Sequence, residues 1–212
     1  ARPARAARPS DRDGDRMTDP LELALRGYEP TVRRPTLTGG DVAYVVDDTP
    51  LGRMLFAAHH DGTLLATTYA PDDAAADAVL ARLAARVSPR VLRGGRALDA
   101  VRRELDDYLG GRRREFDLPV DPVLATPFQR TVLEALTAVR YGATASYGAL
   151  ATTLGRPTAS RAVGAALGAN PLCVVLPCHR VVAASGALTG YAGGLDAKRL
   201  LLELEARTVA AG

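Results

Sequence analysis

The residues best suited to chemistry lie in the run LCVVLPCHRVV, residues 172–182. Cys178 follows Pro177 and precedes His179 and Arg180. A neighbouring base and a neighbouring positive charge both raise the thiolate fraction of a cysteine, and the thiolate is the nucleophile. A buried cysteine is more often a small hydrophobe. That reading suits Cys173, inside the apolar run, and suits Cys178 less well. The residues alone mark Cys178 as a nucleophile and leave the reaction open, because thiol nucleophiles serve proteases, transferases and redox enzymes alike. Residues 174–176 are expected to form a short buried strand that ends at Pro177 and holds Cys178 at its tip.

The rest of the composition narrows the setting. Cys173 and Cys178 are the only cysteines, and His59, His60 and His179 the only histidines. A structural zinc site takes about four such ligands at set spacings, so no metal is expected, and no cofactor. Two cysteines five residues apart make no disulfide framework, and reduced thiols point to the cytoplasm. No stretch approaches the ~18 apolar residues of a membrane span, and the Arg-rich N-terminus lacks the apolar core of a signal peptide. The 27 basic and 24 acidic residues leave a net charge of +3. That balance permits nucleic-acid binding and equally fits a protein with no such partner. The single lysine, Lys198, and the single asparagine, Asn170, both fall within about twenty residues of Cys178.

Several elements must position these residues. Residues 1–16 carry Arg, Ala, Pro and Asp without apolar periodicity and read as a disordered tail or as sequence upstream of Met17. Residues 41–69 read as three short strands, broken at Asp47-Asp48-Thr49-Pro50 and at the hairpin signal Asp61-Gly62. Helical spacing over 71–87 and 98–109 predicts two helices, the second ended by Gly110-Gly111. Residues 116–120 read as a further strand. From Pro122 the chain turns helical, with a stripe of Val132, Leu133, Leu136 and Val139 behind Pro127. Ser146 caps a short helix to Leu154, Gly155-Arg156-Pro157 makes a turn, and Thr158 or Ser160 caps a helix over 161–169. Two short helices across a Gly-containing turn form a helix-turn-helix candidate. The second has a smooth face, with Ala162, Gly164, Ala165, Ala166 and Gly168 all small. Taken alone, that face reads as tight packing; the alternative is close approach to a nucleic-acid backbone, with Arg161 as its one long polar side chain.

The spacing of Asn170-Pro171 from Pro177-Cys178-His179-Arg180-Val181-Val182 resembles the acceptor-site signature of the O6-methylguanine-DNA methyltransferases. Tyr141-Gly142, Ser146-Tyr147, Ser160-Arg161-Ala162-Val163-Gly164, Gly190-Tyr191-Ala192-Gly193-Gly194, Lys198, Leu201-Leu202 and Glu205 extend the similarity across residues 122–206. The resemblance implies an α+β, two-domain architecture. An N-terminal ribonuclease H-like α/β domain over 36–121 precedes a C-terminal helical domain over 122–207, which carries the helix-turn-helix and the acceptor cysteine. Residues 1–35 would be a disordered or extended lead, and residues 208–212 a tail.

That likeness implies direct-reversal DNA repair, in which Cys178 takes the alkyl group from O6-alkylguanine once and irreversibly; O4-alkylthymine is a further candidate substrate. His179 would accept the thiol proton through a water, and Glu205 would orient His179. Tyr147 would protonate the leaving guanine with help from Lys198. Asn170 would brace the turn that presents the thiol. Backbone groups at Cys178, Val181 and Ala192 would read the base, with Tyr191 and Gly193 beside it in the pocket. Arg161 would fill the stack vacated by the flipped nucleotide, while Ser160, Ala162 and Gly164 let the helix into the minor groove. The implied partner is double-stranded DNA bearing the lesion, bound by a monomer or by a cooperative assembly along the duplex, with no membrane involved. Cys173 departs from the family, which often has proline or another apolar residue there; Leu133 stands where an aromatic is frequent. Three rival readings compete: a non-catalytic lesion sensor, whose relatives commonly replace the nucleophile with tryptophan; a helix-turn-helix regulator; and a generic cysteine hydrolase.

Overall fold

The computed structural model describes residues 42–211; the expectations for residues 1–35 fall outside that range. Strands β1 (Val42–Thr49), β2 (Gly52–His59) and β3 (Leu64–Tyr69) form an antiparallel meander, and β4 (Val91–Arg93) returns parallel to β1, giving the order β3-β2-β1-β4. This is the ribonuclease H-like arrangement expected. Gly62, at φ +91° in the β2–β3 hairpin, occupies a conformation that a side chain would oppose. β4 has only three residues, none of them buried, so it lacks the alternation that would mark it in the sequence.

Alternation along β2 gives the sheet two apolar faces. Leu55 and Ala57 point to one side, where they join Leu65, Ala66, Ala76 and Leu83. Ala76 and Leu83 belong to α1 (Asp73–Arg86), whose N-terminus is capped by Asp72 accepting from Ala75 N. Met54, Phe56 and Ala58 point to the other side, against Leu98, Val101, Leu105 and Tyr108. The last three lie on α2 (Asp99–Leu109). Leu172, Val174, Ala197 and Leu201 from the C-terminal half complete that second core, so the sheet and the acceptor segment share one apolar interior.

The C-terminal half is helical as expected. Thr126 and Gln129 form a reciprocal capping box, with Pro127 opening α3 (Pro127–Ala135). Ser146 caps α4 (Tyr147–Thr153) by accepting from Ala149 N. α5 is Ser160–Gly168 and α6 is Gly194–Ala210. Val132, Leu133, Leu150, Ala151, Val163, Ala166 and Leu167 close a third core, which also takes in Cys173 and Cys178.

Four local expectations are corrected. Residues 116–120 form no strand: Val120 alone bridges Leu64, and Pro119, which has no N–H to give a ladder, contributes only its carbonyl, to Leu64 N. Residues 174–176 form no strand either. Val174 sits at φ +73° and the chain turns there, with Leu176 N donating to Leu172 O at 2.8 Å. α5 is not capped by Thr158 or Ser160: Ala159 holds the cap position, and no side chain bonds there. Finally, α6 runs through residues 208–210, read as tail, because its last turn stays engaged. Thr208 Oγ1 donates to Leu204 O, and Val209 packs against Gly142 so closely that a Cβ there would lie 2.6 Å from it.

Candidate active site

Cys178, His179 and Arg180 form a single 3-10 turn between the 172–177 loop and β6 (Val181–Val182). β6 is pinned in parallel by β5 (Ala145–Ser146), the short strand that leads into α4. All three side chains of the turn are buried.

Asn170 organises the loop ahead of the thiol. Its Oδ1 accepts from Leu172 N at 2.9 Å. Its Nδ2 donates to Leu176 O at 2.9 Å and to Cys178 Sγ at 3.1 Å. One amide thereby ties both arms of the loop and the sulfur together. The sheet clamps the same loop from behind: Thr67 N donates to Pro171 O and Thr67 Oγ1 to Cys173 O, each at 2.8 Å. Thr67 was not visible as a site residue in the sequence, being one more residue in a strand.

The Cys178 thiol is pulled below its ordinary pKa. A hydrogen bond from the Cys173 thiol is the largest cause, and the Asn170 amide and the charge on Lys198 add to it; burial opposes all three. Cys173, the donor of the pair, is pushed up.

His179 Nε2 lies 2.7 Å from Glu205 Oε1, with both side chains inaccessible to solvent. Burial lowers the His179 pKa despite the carboxylate, so the ring is neutral at pH 7. The carboxylate can only accept, which places the His179 proton on Nε2 and leaves Nδ1 with a lone pair. Nδ1 is buried and takes no hydrogen bond from the described residues. Glu205 itself sits at about pH 2: burial pushes it up, and the donors around it more than reverse that. Those donors are His179, Tyr108 OH, Arg180 Nε at 3.1 Å to each oxygen, and Gly142 N at 2.8 Å. Tyr108 was missed in the sequence, and Gly142 was read there as part of the resemblance without this role. The trace of Tyr108 was its place three residues after Leu105 on the buried stripe of α2. Arg180 was read only as a nearby charge, yet it also donates to Val139 O at 2.8 Å.

Lys198 is buried at the start of α6, with Nζ 2.6 Å from Val181 O and 2.7 Å from Thr189 O. Desolvation lowers its pKa. Tyr147 OH meets the same Thr189 carbonyl at 3.3 Å, and Lys198 Nζ stands 6.0 Å from the Tyr147 ring centre. The two expected partners are therefore joined through Thr189 and not by a direct bond. The Val181 carbonyl accepts from Lys198, and the Cys178 carbonyl accepts from Val181 N; each keeps a second lone pair. Tyr191 stands edge-on to His179 at 6.4 Å, and its hydroxyl is 3.3 Å from Tyr69 OH on β3. Gly193 lies directly under the Tyr69 ring, where any Cβ would collide with it, and Ala192 is exposed beside it.

α4 and α5 join through Gly155 at φ +68°. Val163, Ala166 and Leu167 face inward, while Arg161, Ala162, Ala165 and Gly168 are exposed. Ala162, Ala165 and Gly168 therefore form an outer surface, while Ala166 packs into the core as the packing reading required. Tyr147, Ser160, Arg161 and Gly164 line an open groove there. A Cβ added at Gly164 would stand 3.6 Å from the Tyr147 ring.

Residues 127–207 match the family model described as the DNA binding domain of 6-O-methylguanine DNA methyltransferase. The chain is 50% identical over 112 residues to the methylated-DNA–protein-cysteine methyltransferase of Mycolicibacterium paratuberculosis, which spans 53% of this chain and 67% of the relative. Against the protein of that name from Mycobacterium bovis it is 51% identical over 102 residues, 48% of this chain and 61% of the relative. The crystal structure of Mycobacterium tuberculosis OGT in complex with DNA superposes with a TM-score of 0.66 at 36% identity, covering 78% of this chain and 94% of that one.

Proposed function

Because this chain belongs to the 6-O-methylguanine DNA methyltransferases, we propose that it repairs O6-alkylguanine in duplex DNA by direct reversal, moving the alkyl group onto Cys178. The observation that carries this reading is the thiol's setting. Cys178 Sγ is held at 3.1 Å by Asn170, beside a histidine whose free nitrogen is a base and whose other nitrogen is fixed by a buried carboxylate.

The steps follow from that geometry. Arg161 and the small outer face of α5 enter the minor groove, and the lesion turns out of the stack at a cost of a few kcal/mol, least for a damaged base. Val181, Tyr191, Ala192 and Gly193 receive the guanine. The Cys178 proton passes to His179 Nδ1 through a water, and the Glu205 carboxylate balances the positive charge that appears on the ring. The thiolate attacks the alkyl carbon in line: the S–C bond forms and the C–O bond breaks. The guanine oxygen is relieved of its charge by the Tyr147 hydroxyl, with Lys198 beside it on the Thr189 carbonyl. The thioether is stable, so each chain acts once.

The protein meets DNA as a monomer or in a cooperative array, in the cytoplasm, where a reducing milieu keeps both thiols free. Residues 42–121 serve as the buttress and residues 122–207 as the reactive unit. A lesion sensor without chemistry is disfavoured by the presence of Cys178 itself. The test is digestion of a duplex carrying O6-methylguanine to nucleosides after exposure to the protein. Conversion of the lesion to guanine, one lesion per chain, supports the reading; retention of the lesion in a tight complex contradicts it.

A further inference from the structure

Cys173 takes no bond-making part in the reaction above, yet it is the only thiol besides the acceptor in the whole chain. Both sulfurs hang on one residue: Asn170 Nδ2 donates to Cys178 Sγ at 3.1 Å, and Cys173 Sγ donates to Asn170 O at 3.4 Å. The chain doubles back between them, with Leu176 N bonded to Leu172 O and Cys173 bridged to Leu176. Both cysteines pack into the same core cluster. The backbone of Cys173 is fixed through Thr67. Thus a second thiol shares the Asn170 anchor and the core cluster of the reactive one. Cys178 keeps a small exposure of 5%, whereas Cys173 has none.

We propose that Cys173 is the resolving thiol of a reversible redox lock, closing a disulfide on Cys178 when a hydroperoxide oxidises the acceptor. The Cys178 thiolate attacks a peroxide oxygen; the S–O bond forms, the O–O bond breaks, and the departing hydroxide takes a proton and leaves as water. Cys173 sulfur then attacks the sulfenic sulfur. The S–S bond forms, the S–O bond breaks, and the hydroxyl leaves as water with the Cys173 proton. The two thiols lose two electrons to the peroxide, and a dithiol reductant returns them by exchange. The lock halts alkyl transfer while it is closed and spares Cys178 from sulfinic acid, which thiols do not reverse. Bond formation is independent of the alkyl-transfer reading; only its consequence for repair rests on that reading.

The experiment exposes the whole reduced chain to limiting hydrogen peroxide. The product is denatured, treated with a thiol-blocking alkylator, and measured by intact mass and peptide mapping. The expected product has lost two hydrogens, binds no alkylator, yields a linked Cys173–Cys178 peptide, and regains both thiols after dithiothreitol. In parallel, Cys173→Ala given excess peroxide is expected to gain two oxygens at Cys178 and to resist recovery by dithiothreitol. A wild-type product carrying sulfinic acid at Cys178 beside a free Cys173, or a disulfide between two chains, would overturn the proposal. These readouts do not depend on methyl transfer, so they stand whether or not the repair assay succeeds.

Discussion

Glu205 lies on the terminal helix and His179 on the acceptor turn, yet Oε1 and Nε2 meet at 2.7 Å with no solvent access to either side chain. The carboxylate also receives both contacts from Arg180 Nε. Replacing Glu205 by Gln removes the charge that compensates a buried arginine. Breaking one side of a buried pair costs about 3–5 kcal/mol. Glu205→Gln is expected to lower stability in urea unfolding by that order and to slow alkyl transfer. A variant as stable as wild type would contradict the role assigned to the carboxylate.

Acid should weaken the fold from two groups at once. His179 has its pKa lowered in the folded state, so the unfolded chain binds its proton more readily; this contribution is intact above the ordinary histidine value of 6.5 and fades as pH falls below it. Glu205 is held at about 2 against 4.5, and its contribution is intact above 4.5 and lost as pH falls through about 2. The melting temperature is therefore expected to drop progressively on acidification from pH 7. A flat profile from pH 7 to 4.5 would contradict the setting of His179, and one flat from pH 4.5 to 2 that of Glu205.

Asn170→Ala removes three hydrogen bonds of the acceptor loop. At about 1 kcal/mol each, the loss is roughly 3 kcal/mol. It also deprives the Cys178 thiolate of a donor, so the pH profile of alkyl transfer should move upward. Stability loss without a change in profile would reduce Asn170 to a scaffold.

Arg161 is exposed and makes no packing contribution to the core, so Arg161→Ala should leave stability within about 0.5 kcal/mol. If the guanidinium fills the vacated stack, transfer from duplex DNA falls about tenfold or more, each 1.4 kcal/mol of lost support being a factor of ten. Transfer from a free O6-alkylated base should be unaffected. Equal losses on both substrates would remove Arg161 from the flipping step.

Some of this site was readable in the sequence because it is local. Pro177 to Val182 is contiguous, and Ser146, Pro127 and the hairpin at Gly62 are decided by residues a few positions apart. The capping mistake at α5 came from assuming that a nearby hydroxyl would cap, where the backbone at Ala159 does without one. The expected strand at 174–176 failed because three apolar residues in a row fit a buried turn as well as a buried strand. Nothing local marked Tyr108, which reaches Glu205 across 97 positions, or Tyr69, which reaches Tyr191 across 122. Those contacts come from the sheet and α2 packing under the acceptor loop, and tertiary packing leaves no period in the chain.

The central claim is that Cys178 is the stoichiometric alkyl acceptor. Intact mass after incubation with a duplex carrying O6-methylguanine tests it most directly, for wild type and Cys178→Ala. Wild type is expected to gain one methyl group, saturating at one per chain and mapping to Cys178, and the variant none. An unmodified wild type bound to an intact lesion, or a methyl group on the Cys178→Ala chain, would contradict it.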